Sequence, residues 1–145
     1  MKVILFILIL SSMIYAQDSV AVATDTGTLV VILKNFPNND GMVMVALSNS
    51  QEDYEADGEA SMGNMAEIKG KKAEVSFGPL PYGEYAIKVF HDEDEDKELD
   101  TNFLGIPSEA YGFSNNAEGS FGPAAWEDAK FTFSSKRDTL SIIVD

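Results

Sequence analysis

The sequence predicts an all-β protein: about seven strands in an antiparallel Greek-key β-sandwich, with one long Gly/Asn/aromatic loop. Three observations point there. Ala73, Val75 and Phe77 alternate with Lys72, Glu74 and Ser76, the period-two pattern of a half-buried strand. Turn-forming residues recur between such stretches. No segment keeps a helical period long enough for a core helix. At 145 residues the chain amounts to about one domain, and its 45% apolar and 10% aromatic content is enough to bury a core.

The elements follow in order. Residues 1–16 read as a signal peptide. Met1-Lys2 is a basic start, Val3 to Leu10 is an apolar run that continues through Met13 and Ile14, and small Ala16 marks the cleavage point. Roughly 12 apolar positions fall short of the ~20 that a membrane-spanning helix needs. No cysteine follows to carry a lipid, so the expected location is secreted or periplasmic. Residues 17–26 form a polar lead-in, and residues 27–145 a single domain.

Thr28 to Leu33 and Met42 to Leu47 are strands, expected to pair through the Asn38-Asn39-Asp40-Gly41 corner. Ser48 to Asn64 reads as a long acidic connection or frayed edge. Met65 to Ile68 and Lys72 to Phe77 read as a hairpin around Lys69-Gly70-Lys71, with one wet face. Gly78-Pro79-Leu80-Pro81-Tyr82-Gly83 is a rigid corner, after which Tyr85, Ile87 and Val89 mark another strand. Phe131 and Phe133, then Leu140, Ile142 and Val144, supply two closing strands on either side of a turn at 134–138.

Charge narrows the function. Ten Lys and Arg against 24 Asp and Glu give a formal net charge of -14. Loss of the leader removes Lys2 alone, leaving nine bases against 24 acids, or -15. Such a surface repels phosphate backbones and anionic lipid, so neither nucleic acid nor, once the leader is gone, a membrane is an expected partner. Without cysteine and with His91 as the sole histidine, thiol nucleophiles, disulfides and Cys/His zinc sites are excluded.

The acids concentrate between Asp92 and Asp100. Asp92, Asp94 and Asp96 occupy positions 1, 3 and 5 of an oxygen-ligand loop, Glu98 position 7 and Asp100 position 9. Carboxylates brought together repel, and a hard dication reverses the sign. An all-oxygen set suits calcium, with an affinity in the weak extracellular range of about 10⁻⁴ to 10⁻³ M. Two positions depart from the twelve-residue pattern: Lys97 stands where a glycine normally permits the turn, and Phe103 stands where a bidentate Glu is usual. Asn102 or Glu109 is the substitute ligand on offer. The plainer alternative is a solvated acidic loop that holds ions only diffusely.

The stretch from Thr101 to Asp128 is rich in Gly, Asn, Pro and aromatics, and long ordered loops tend to be functional. Tyr111, Phe113 and Trp126, with Asn115 and Asn116 as hydrogen-bonding partners, are the candidate ligand-binding residues. The competing reading, which the residue types favour, pins these aromatics onto the sheets as a satellite core. Residues 123–128 suit a single helical turn opened by Pro123. No nucleophile elbow or phosphate-binding glycine loop occurs, so no catalytic residue is assigned.

The block Tyr85-Ala-Ile-Lys-Val-Phe-His-Asp, then Leu99-Asp-Thr-Asn-Phe-Leu-Gly-Ile-Pro, Tyr111-Gly-Phe-Ser-Asn-Asn-Ala, Phe121-Gly-Pro and Glu127-Asp-Ala-Lys-Phe131, closely resembles the DUF2141 family of uncharacterised exported bacterial proteins. The resemblance covers roughly residues 27–144. It implies a small secreted or periplasmic sandwich, transthyretin/Ig-like or carboxypeptidase-regulatory-like, and supplies no activity. Similar sequences read Asp-x-Asn-x-Asn-Gly before Leu-Asp, whereas Asp94, Asp96 and Lys97 replace the two Asn and the Gly here. The expectation is therefore a non-enzymatic exported protein with a structural calcium loop and a surface for an extracellular protein or glycan. Two alternatives stand beside it: a metal-assisted hydrolase using His91 with Asp92 or Asp100, and a glycan-binding module on the Tyr111–Trp126 loop.

Overall fold

A computed structural model describes residues 25–56, 60–120 and 122–145. The leader, and the polar lead-in up to residue 24, lie outside the described residues. Among the described residues there are eight strands: β1 (Thr26–Lys34), β2 (Met42–Ser48), β3 (Met62–Glu67), β4 (Lys72–Pro81), β5 (Gly83–Asp92), β6 (Tyr111–Phe113), β7 (Phe131–Phe133) and β8 (Arg137–Ile143). Two short helices, α1 (Gln51–Glu55) and α2 (Trp126–Ala129), and a 3₁₀ turn at Ser114–Asn116 complete the order. The chain is all-β in class, with strands in a three-stranded sheet, β4-β1-β8, and a five-stranded sheet, β3-β2-β5-β6 with β7 also on β5.

The strands arise where period-two alternation is cleanest. Ala73, Val75 and Phe77 are buried and Lys72, Glu74 and Ser76 exposed, so β4 turns one face to the core, as the pattern requires. Leu29, Val31 and Leu33 from β1 meet Val43, Val45 and Leu47 from β2 and Ile87 and Val89 from β5 in one buried cluster. Both sheets thus share a single apolar core.

Four pairings differ from expectation. β1 does not pair with β2: it lies antiparallel to β4 and parallel to β8. The turn residues between β1 and β2 carry the chain from one sheet to the other, and Phe36, 1% exposed, anchors that crossing. β3 pairs with β2, so the expected hairpin with β4 shrinks to an isolated bridge between Lys69 and Lys72. Buried Ile68 pulls the chain inward just before it changes sheets. β7 joins β5 while β8 joins β1, which separates the two closing strands. The parallel β1–β8 pair makes the smaller sheet mixed, where purely antiparallel pairing was expected. Parallel strands need a long connection, and the whole chain between β1 and β8 serves as one.

The 48–64 stretch holds structure that periodicity did not show. Ser50 caps α1 by accepting from the Asp53 N–H at 3.2 Å, with Glu52 and Asp53 in the first turn, where the positive end of the helix favours acids. The 78–83 corner contracts to Tyr82 alone between β4 and β5. Its N–H donates to Asp25 O at 2.9 Å.

Candidate metal centre

β5 positions the site. Its alternation sends Val89 and His91 into the core and Phe90 and Asp92 to the opposite face. Asp92 is nevertheless only 1% exposed, because the loop after it curls back over the carboxylate. Oδ1 of Asp92 accepts from Asp96 N at 3.1 Å and Oδ2 from Lys97 N at 3.1 Å. Asp94 Oδ1 also accepts from Asp96 N, at 3.3 Å, and Asp96 Oδ1 accepts from Glu98 N at 2.8 Å. Side chains of the type that favours turns thus hold the loop backbone. The curl needs left-handed residues, and Glu95 (φ 64°) and Lys97 (φ 70°) supply them. Lys97 adopts the geometry that a glycine would hold with less strain.

The result is convergence. Among the described residues, one carboxylate oxygen each from Asp92, Asp94 and Asp96 lie within 4.8 Å of one another. The donor set is oxygen only, which fits a hard dication and not a thiolate- or imidazole-seeking metal. Asp94 and Asp96 are exposed, so solvent reaches the trio. Glu98 and Asp100, the other two sequence-predicted ligands, are exposed and lie outside this group. Partial desolvation, followed by the charges of Asp94, Glu109, Asp96 and Glu98, pushes the Asp100 carboxyl above its ordinary range. Asp100 thus reports the negative field of the loop.

Glu109 closes the loop by another route than ligation. It is buried, and its two oxygens accept from Glu93 N at 2.8 Å and Asp100 N at 3.0 Å, clamping both ends of the acidic run. Asn102, the other substitute considered, builds the next turn instead: its Oδ1 accepts from Leu104 N at 2.9 Å and Ile106 N at 3.2 Å. That turn displays Phe103, Leu104 and Ile106 at 95%, 67% and 55% exposure. Sequence reasoning counted Phe103 as a missing ligand and as one of the aromatics of the 101–128 stretch, and did not expect the Phe-Leu-Gly-Ile run to be exposed.

His91 is fully buried, with Nε2 2.7 Å from Asp40 O and its ring edge-to-face on Phe36 at 5.3 Å. The close carbonyl assigns the proton to Nε2. Nδ1 is the one buried side-chain nitrogen or oxygen without a hydrogen bond among the described residues, and Glu93 Oε1 is 3.6 Å away. His91 and Asp92 leave β5 on opposite faces.

Of the candidate ligand-binding residues, Phe113 and Trp126 are buried in a second apolar cluster with Tyr54, Ala86, Ala124 and Ala129, and half-buried Tyr111 packs on it. Asn115 Nδ2 donates to Asp128 O and Lys130 O at 3.0 and 2.8 Å, and Asn116 Oδ1 accepts from Ile143 N at 2.8 Å. These side chains tie the long loop to α2 and β8.

The family described as "Uncharacterized protein conserved in bacteria (DUF2141)" matches residues 31–141. No curated protein and no solved structure matches the chain. Among the described residues, no helix is long and apolar enough to cross a membrane.

Proposed function

The chain belongs to the DUF2141 family, and from that premise we propose that it is an exported, non-enzymatic β-sandwich of transthyretin-like Greek-key plan whose acidic loop binds a structural calcium ion. The observation that carries this reading is the convergence of Asp92, Asp94 and Asp96 on a loop with a left-handed residue at Lys97. Three carboxylates so close repel one another, and a dication turns that repulsion into attraction. The ion's work is architectural. It binds the folded loop and not the unfolded chain, so it stabilises the fold by about 2.7 kcal/mol at a hundredfold excess over its Kd.

Export is supported by the residue pattern of the leader, and the sandwich by the core that both sheets share. Thermal melting in calcium, magnesium and chelator tests the metal. Calcium is expected to raise Tm above both other conditions, and Asp94→Asn with Asp96→Asn to abolish most of the rise. Identical melts in all three conditions would overturn the assignment.

A further inference from the structure

The outer face of the five-stranded sheet carries three of the four methionines among the described residues. On β2, Val43, Val45 and Leu47 are buried while Met42, Met44 and Ala46 are only partly so, which puts the two methionines on the face away from the core. Register sets Met44 directly opposite Met65 of β3, with Met42 two positions along the strand from Met44. Met65 is 47% exposed. Directly opposed residues hold their Cβ atoms about 4.5–5.5 Å apart and diagonal ones about 7–8 Å. Methionine has three rotatable bonds beyond that atom, so all three sulfurs can reach one centre. Met62, the fourth, packs on the core instead.

We propose that Met42, Met44 and Met65 form a binding site for a soft monovalent cation of the copper(I) and silver(I) class. Thioether sulfur selects such ions, whereas calcium and magnesium take oxygen. The chain has no cysteine and its sole imidazole, His91, is fully buried, so thioethers are the soft donors a metal meets here. The surroundings favour positive charge. Met42 lies in register between Glu67 and Asp92, and a net charge of -14 draws cations to the surface. Apolar bulk alone does not account for the trio, because a sheet face that meets water is ordinarily polar. Gly63, on the same face as Met65, leaves the approach open: a Cβ placed there would meet nothing within 4 Å. The site takes no oxygen from the aspartate trio, so this reading does not rest on the acidic loop being filled.

The test follows the methionine methyl signals of the purified, isotopically labelled chain by nuclear magnetic resonance during titration with silver nitrate in chloride-free buffer. Calcium is present in excess, so that oxygen sites do not take up the probe. The methyls of Met42, Met44 and Met65 are expected to move together and saturate at a single ion per chain, while that of Met62 stays in place. Copper(I), kept reduced by ascorbate without oxygen, should reproduce the shifts. Met44→Leu and Met65→Leu keep apolar volume and remove sulfur. Loss of an outer partner of a metal ligand already costs 10–100-fold in affinity, so each variant is expected to weaken silver binding by about tenfold or more, with circular dichroism confirming the fold. Met62→Leu should leave binding unchanged. Absence of saturation, movement of Met65 alone, equal movement of Met62, silver shifts that copper(I) does not reproduce, or unaltered affinity in folded Met44→Leu and Met65→Leu proteins would overturn the proposal.

Discussion

Lys97 occupies a left-handed conformation at φ 70°, where a Cβ costs on the order of 1 kcal/mol relative to glycine. Lys97→Gly is therefore expected to stabilise the metal-free protein by about 1 kcal/mol, read as a higher urea midpoint, and to tighten calcium by removing a positive charge beside the trio. A lower midpoint would show that the lysine stem contributes packing that outweighs the strain. Tyr54 gives a pH prediction. Burial pushes its hydroxyl from 10.0 up to about 12, and the hydroxyl donates to Ala124 O at 3.0 Å. Because the folded value is the higher one, the associated stability is complete below about pH 10 and is lost as pH rises through about 12. Tyr54→Phe should cost about 1 kcal/mol at neutral pH and flatten that alkaline loss in denaturant melts. The spacing of the three aspartates was legible in the sequence, since the three positions are close along the chain. Glu109 as a double acceptor was not, because its partners, Glu93 and Asp100, lie 16 and 9 residues away and no pattern of residue types marks a clamp.

At the scale of elements, the strands themselves could be read from alternation, whereas their partners could not. Period two records which face a residue takes and says nothing about which neighbour lies alongside. The β1–β2 pairing failed for this reason: Asn-Asn-Asp-Gly suits a tight hairpin as well as a crossing between sheets, and only buried Phe36 distinguishes them. Phe36→Ala should therefore cost about 3–5 kcal/mol, measured by chemical denaturation, far more than an ordinary hairpin-loop substitution. The same crossing ends at Gly41 (φ +60°), where an added Cβ would lie 2.0 Å from Asp92 O. Gly41→Ala is expected to cost more than about 1 kcal/mol and to weaken calcium binding by displacing the start of the acidic loop. Unchanged binding in a folded Gly41→Ala protein would separate the two features. Short α1 escaped notice because five residues are too few to establish a helical period, although Ser50 and the acids after it mark a cap.

For the whole molecule, a net charge of -14 opposes compaction. Sodium chloride at about 0.15 M, with a Debye length of ~8 Å, should raise Tm by a few degrees over low salt. Calcium at matched ionic strength should add a further increment that the Asp94→Asn, Asp96→Asn protein lacks. A response to ionic strength alone would mean that the acids act only through their summed field. The class of fold followed from composition and alternation taken together. The division into sheets of three and five strands rests on contacts between residues distant in the chain, and local patterns carry no record of those.

The first strand of the smaller sheet sits between β4 and β8, and its parallel partner is drawn from residues 137–143. A ribosome delivers those residues more than a hundred positions after β1. Until they emerge, the central strand has one bare edge and the core one missing wall. The contacts that Ile142 makes in the shared core are therefore among the last for which both partners have been made.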